Sequence, residues 1–140
     1  VVLNKIYFII ILLFYNYNNF SNCEDFKYGS YSINMENESE IYYQIERTKT
    51  SQIETNEYDE KVFYSIKWIS DCSFIQKFDK NKMKLTDEMK MINNDGGIVV
   101  ELLNKEDDNC ILYQSYVKNF KELSLRNGMF CKINIKVKNK

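Results

Sequence analysis

From residue 61 to residue 68 the chain places Val62, Tyr64, Ile66 and Trp68 at every second position, separated by Phe63, Ser65 and Lys67. A two-residue period is that of a strand with one buried face, so this run predicts the central strand. Phe63 and Ile69 add apolar weight to the other side, which implies neighbours that cover part of both faces. Ser70-Asp71 is a tight connection, and residues 72–78 run back as the partner strand.

The same reading extends in both directions. Residues 26–33 form a first strand with Gly29 at a bend, residues 34–40 (NMENESE) a polar loop, and residues 41–48 a strand in which Ile41, Tyr43, Ile45 and Arg47 share a face. A short strand at 51–54 follows, and 56–61 turns the chain into the central strand. Residues 79–95 admit a short helix from Thr86, near 86–92, or a strand at 90–93. Asn94-Asp95-Gly96-Gly97 signals a turn, since its glycines can take positive φ. Strands at 98–103 and 110–118 flank the acidic loop 105–109. Arg126-Asn127-Gly128 between 121–125 and 129–138 has the form of a hairpin turn. In the last strand Met129, Cys131 and Ile133 alternate with Phe130, Lys132 and Asn134, the first set facing in.

Eight or nine short strands with turns every 8–12 residues indicate an all-β fold. Short hairpins between successive strands favour a small antiparallel up-and-down barrel of the lipocalin type, with a β-sandwich as the alternative. Residues 23–140 form a single β domain. Residues 1–22 precede it as an export leader: one positive charge at Lys5, an apolar run from Ile6 to Tyr15, and a polar end. That run is short for a membrane span and has the order of regions of a signal peptide.

Charge and composition narrow the function. Lys and Arg number 19 against 20 Asp and Glu, interspersed, so no basic stripe tracks a phosphate backbone and nucleic acid is not an expected partner. With no histidine, the usual general base and the commonest metal ligand are missing, so no catalytic residues, metal or cofactor are assigned.

Four cysteines, Cys23, Cys72, Cys110 and Cys131, in an exported chain without CxxC spacing favour disulfides over a zinc site. Three connectivities are open; Cys23–Cys72 with Cys110–Cys131 is favoured, because the first would pin the mature N-terminus to the end of the central strand. Cys23 could instead be a lipidated first residue, placing the protein on the outer membrane rather than free in the periplasm or medium. The preceding Phe20 and Asn22 fit a lipidation motif poorly.

Cys23-x2-Phe26-Lys27-x-Gly29, Glu46-Arg47-Thr48 with Gln52-Ile53-Glu54, and Lys67-Trp68-Ile69-x2-Cys72 resemble a family of small exported proteins of Flavobacteria and relatives. The resemblance spans about residues 23–78. It implies export and a compact β fold, and makes Cys23 and Cys72 matched positions. Topoisomerase-type labels attached to some similar chains find no support here: there is no Gly-rich nucleotide loop, metal carboxylate cluster or basic groove.

Candidate chemistry is limited to a binding site. Tyr43, Tyr64, Trp68 and Tyr116 are expected to line an apolar cavity with polar tips, and Arg47 to anchor the polar end of a small apolar or amphipathic ligand. The same aromatics would otherwise fill a small barrel, and Arg47 would pair with a Glu at its rim. Glu46 and Glu54 are a carboxylate pair of the kind glycoside hydrolysis uses, but two acids on separate strands are commonplace. The Asp107-Asp108-Asn109 run lacks the spaced oxygen ligands of a calcium loop. The rival to ligand binding is an envelope protein acting through exposed aromatic patches around Tyr31, Tyr42 and Tyr58.

Overall fold

The computed structural model describes residues 23–35 and 43–133. Eight strands, β1 (Gly29–Met35), β2 (Tyr43–Arg47), β3 (Ser51–Thr55), β4 (Lys61–Trp68), β5 (Ser73–Phe78), β6 (Ile98–Lys105), β7 (Cys110–Val117) and β8 (Arg126–Lys132), each pair antiparallel with the next. β8 returns to pair with β1, Ile33 opposite Phe130, and the sheet closes. The architecture is the up-and-down barrel, and the sandwich is excluded because no edge strand is left. The leader at 1–22, loop residues 36–40 and the predicted strand end at 134–138 lie outside the described residues.

Closure gives each strand one inner face, so every second side chain points inward. Tyr31 and Ile33, Ile45 and Arg47, Tyr64 and Ile66, Val100 and Leu102, Ile111 and Tyr113 are buried in this way. The central strand follows its predicted period, with Tyr64 and Ile66 buried and Ser65 and Lys67 exposed between them.

The two ends differ. One is plugged by a 3-10 helix, Cys23–Phe26, whose Phe26 ring is fully buried and stacks on Tyr31 at 6.2 Å between centroids. Lys132 and Lys105 place their ammonium groups 4.5 and 5.5 Å from the centre of the same ring, which closes this end with cations over an aromatic face. The Cys23–Cys72 disulfide ties the plug to the residue before β5, and Cys110–Cys131 joins two opposed residues of β7 and β8. Both bridges have the favoured pairing.

At the other end lie α1 (Asp87–Asn94) and a one-turn helix α2 (Lys121–Ser124). Thr86 caps α1, its side chain accepting from the Met89 N–H, and Asp87 and Glu88 occupy the positive first turn. The helix, and not the alternative strand at 90–93, is therefore what forms. Gly96 and Gly97, at φ 97 and 86, release the chain into β6. Asn93 fastens α1 to the barrel: its amide accepts from the Phe78 N–H at 2.9 Å and donates to the Phe78 carbonyl at 3.0 Å.

Three predicted elements are corrected. The first strand begins at Gly29, because Phe26 belongs to the plug. Residues 121–124 are helical, and Asn127 and Gly128 lie inside β8 instead of forming a hairpin turn. The connection is made earlier, where the Ser124 hydroxyl accepts from the Val117 N–H and donates to the Phe120 carbonyl. Consequently the inner face of β8 is Gly128 and Phe130, not Met129 and Cys131.

Candidate functional site: a cavity with a polar floor

The barrel interior is not filled throughout. A cavity of about 360 Å³ occupies the α1 end, walled by apolar side chains such as Ile33, Val62, Ile98 and Val100, with Met89 of α1 reaching it. Its polar part is a set of inward side chains from neighbouring strands: Gln52 and Glu54 of β3, Tyr64 of β4, Gln76 of β5 and Tyr113 of β7. Strand alternation puts residues 52 and 54 on the same inner face, and the register sets Gln52 opposite Tyr64.

These groups form one hydrogen-bonded layer. Arg47 Nε donates to Gln52 Oε1 at 2.6 Å; Gln52 Nε2 donates to Glu54 Oε1 at 2.8 Å and to Gln76 Oε1 at 3.1 Å. Tyr64 Oη donates to the other Glu54 oxygen at 3.2 Å. Both carboxylate oxygens thus accept from neutral donors, and among the described residues no cation pairs directly with Glu54. Burial raises the Glu54 carboxyl above its ordinary range, while the hydrogen bonds of Gln52 and Tyr64 and the charge of Arg47 pull it back in part. The Tyr64 hydroxyl is pushed up by burial and by the adjacent Glu54.

Arg47 lies beneath this layer, toward the plug. Its Nη1 donates to the Phe26 carbonyl at 3.1 Å, and the guanidinium sits 4.5 Å from the Phe130 ring centre, 4.7 Å from Phe74 and 5.2 Å from Tyr31. Burial lowers its pKa to about 10, which still leaves it charged at neutral pH. Its Nη2 is buried without a hydrogen-bond partner among the described residues.

The structure separates the expected ligand set. Tyr43 and Tyr64 line the cavity. Arg47 does not line the cavity; it acts on it through its bond to Gln52 and through its charge, which pulls the Glu54 carboxyl down. Trp68 sits at the plugged end, packed against Phe74 at 4.9 Å with Lys27 over its ring. Tyr116 points to the outer face of β7, where its hydroxyl donates to Glu101 Oε1 at 2.7 Å and Lys121 covers its ring. Burial and that carboxylate push its pKa to about 12.

Other candidates resolve similarly. Glu46 is exposed on the outside of β2 while Glu54 faces inward, so the two carboxylates cannot flank one bond. Asp107 uses its carboxylate to accept from the Asn109 and Cys110 N–H groups, which makes it a turn cap. Tyr31, expected in a surface patch, is a core residue at 1% exposure; Tyr58 is exposed and Tyr42 lies outside the described residues. Neither Gln52 nor Gln76 is assigned to the site by the sequence reading. The available signal was their place on the inner register of strands, a position where a polar residue needs a partner.

The chain matches no protein-family model, no curated protein and no solved structure.

Proposed function

We propose that the protein is an exported, non-enzymatic barrel that holds a small amphipathic molecule in the cavity at its α1 end. The observation that carries this reading is the unfilled space of about 360 Å³ with apolar walls and a hydrogen-bonding floor, at the small end of the ~300–1,000 Å³ range of small-molecule pockets. The plug at the opposite end supports it, since one blocked end and one cavity-bearing end make a cup. Two disulfides fit an oxidising compartment. Among the described residues no helix is long and apolar enough to cross a membrane.

Indole serves as a neutral probe. Nuclear magnetic resonance titration is expected to shift signals of Val100, Tyr64 and Phe130, and Ser115→Phe, at a residue of the cavity lining, to abolish those shifts while the fold is kept. Shifts confined to outer residues such as Leu123 would sink the cavity reading. They would favour the second one, an envelope protein acting through its surface, which rests on the exposed apolar side chains Phe120, Leu123 and Leu125.

A further inference from the structure

Glu54 is the only charged side chain among the described residues that line the cavity. An ionised carboxylate offers roughly four acceptor positions; Gln52 Nε2 and Tyr64 Oη occupy two of them, and the Gln76 amide also acts on the same carboxyl. The two donors that the hydrogen bonds aim at it are already engaged. Both hydrogens of the Gln52 amide are engaged, one with Glu54 and one with Gln76 Oε1, and the Tyr64 hydroxyl hydrogen points at Glu54. Beside the neutral Gln76 amide and the Tyr43, Tyr113 and Ser115 hydroxyls, the only charge the lining turns toward the cavity is therefore the negative one of Glu54.

Arg47 tempers that charge from a distance but does not pair with it. Its guanidinium is held below the layer by Gln52, the Phe26 carbonyl and three aromatic faces, and it makes no contact with Glu54. An anionic ligand entering from the α1 end would meet Glu54 before it could approach Arg47. A cation would find the opposite: unused carboxylate lone pairs and, close by, the rings of Tyr64 and Phe78, 4.9 Å apart, together with those of Tyr43 and Tyr113. Glu54 would gain the ion-pair partner that the described residues do not supply.

We infer that the molecule held in the barrel is a small organic amine, its ammonium group on Glu54 and its apolar body against the aromatic and aliphatic walls. The inference rests on the cavity reading and adds the chemical class of the ligand. The size of the space, about 360 Å³, limits the body to roughly one ring and a short chain.

Three probes with a shared body separate the possibilities: 2-phenylethylamine, 2-phenylethanol and 3-phenylpropionate, titrated calorimetrically into the full oxidised protein at neutral pH. The amine is expected to bind at least about tenfold more tightly than the alcohol, as charge-assisted contacts to a desolvated carboxylate do, and the propionate not at all. Glu54→Gln should erase the preference for the amine, and an unchanged near-ultraviolet circular dichroism spectrum shows at once that the variant is folded. Equal or tighter binding of the alcohol or the propionate would overturn the amine, even if Glu54→Gln fails to fold. If none of the three binds while indole does, the amine falls and the cavity reading stands; if indole fails as well, both fall.

Discussion

Tyr113 lies across Gly128, its partner on the next strand: a Cβ placed at residue 128 would stand 2.6 Å from the phenol oxygen and 2.7 to 2.8 Å from ring carbons. The missing side chain is what lets the ring lie down. In that position Tyr113 stacks on Phe130 at 4.0 Å and forms part of the cavity wall. Gly128→Ala is expected to displace the ring into the cavity at a cost of about 1–3 kcal/mol, the usual range for overpacking. Urea denaturation reads the loss, and indole affinity should fall with it. A fully stable variant with unchanged affinity would show that the ring moves freely.

Arg47 holds the polar layer to the plug through two different nitrogens, Nε to Gln52 and Nη1 to Phe26. Lysine has one nitrogen and cannot reproduce that fork. Arg47→Lys should therefore destabilise by about 1.5–3 kcal/mol, the scale of lost hydrogen bonds to a charged group. Arg47→Ala, which also removes packing against Phe74 and Phe130, should cost more. Matching chemical melts of wild type and Arg47→Lys would contradict this account.

The Cys23–Cys72 bridge closes a separation of 49 residues and carries the plug residue Phe26 with it. In the chain-entropy description such a loop is worth about 4 kcal/mol, an upper figure for real bridges. Reduction, or Cys72→Ser, should lower the melting temperature clearly. Mass spectrometry after alkylation should label Cys23 and Cys72 only once reductant is present. A Cys23 that resists alkylation after reduction would instead point to acylation.

Glu54 gives stability a pH slope of known sign. Its carboxyl is raised above the ordinary 4.5 mainly by burial, so the folded protein keeps this proton more firmly than the unfolded chain. Stability from this group is highest below pH 4.5 and falls as pH rises from there through the raised value. Glu54→Gln should remove that decline. Glu101 runs the other way: burial opposes its ionisation, but Tyr116, Gln114 and Lys121 outweigh burial and lower its pKa, so its contribution is lost in acid. Because Glu101 is present in both proteins, the difference between their urea midpoints across pH isolates Glu54. A difference independent of pH would refute the assignment.

Asn93 brackets both backbone groups of Phe78 and is the side-chain link that seats α1 beside the cavity. Asn93→Ala leaves those groups to water or unpaired, at about 1–3 kcal/mol. Hydrogen exchange should speed up across α1 while the β4 amides stay protected. Uniform acceleration over the whole barrel would mean that α1 is part of the global folding unit.

Much of the barrel was written locally. The alternation of Val62, Tyr64, Ile66 and Trp68 needs only the strand period, and Thr86 followed by Asp87 and Glu88 marks a helix start by capping chemistry alone. For the cysteines, the end of the central strand favours Cys23–Cys72 among three open connectivities, and only the packing joins Cys110 to Cys131. Tertiary structure decided the rest, because closure determines what a position faces. Gln52 and Gln76 look like surface residues until the sheet closes and turns them inward, where Gln52 bonds Arg47 and Glu54 and donates in turn to Gln76. Asn127-Gly128 has the local chemistry of a turn, yet pairing with β7 keeps it extended, and Tyr113 occupies the space over the glycine. Arg47 and Glu54 show the limit most plainly: their inward faces could be guessed from period, but only the packing of Phe26 from one end and of α1 at the other sets the cation in the plug and the carboxylate in the cavity.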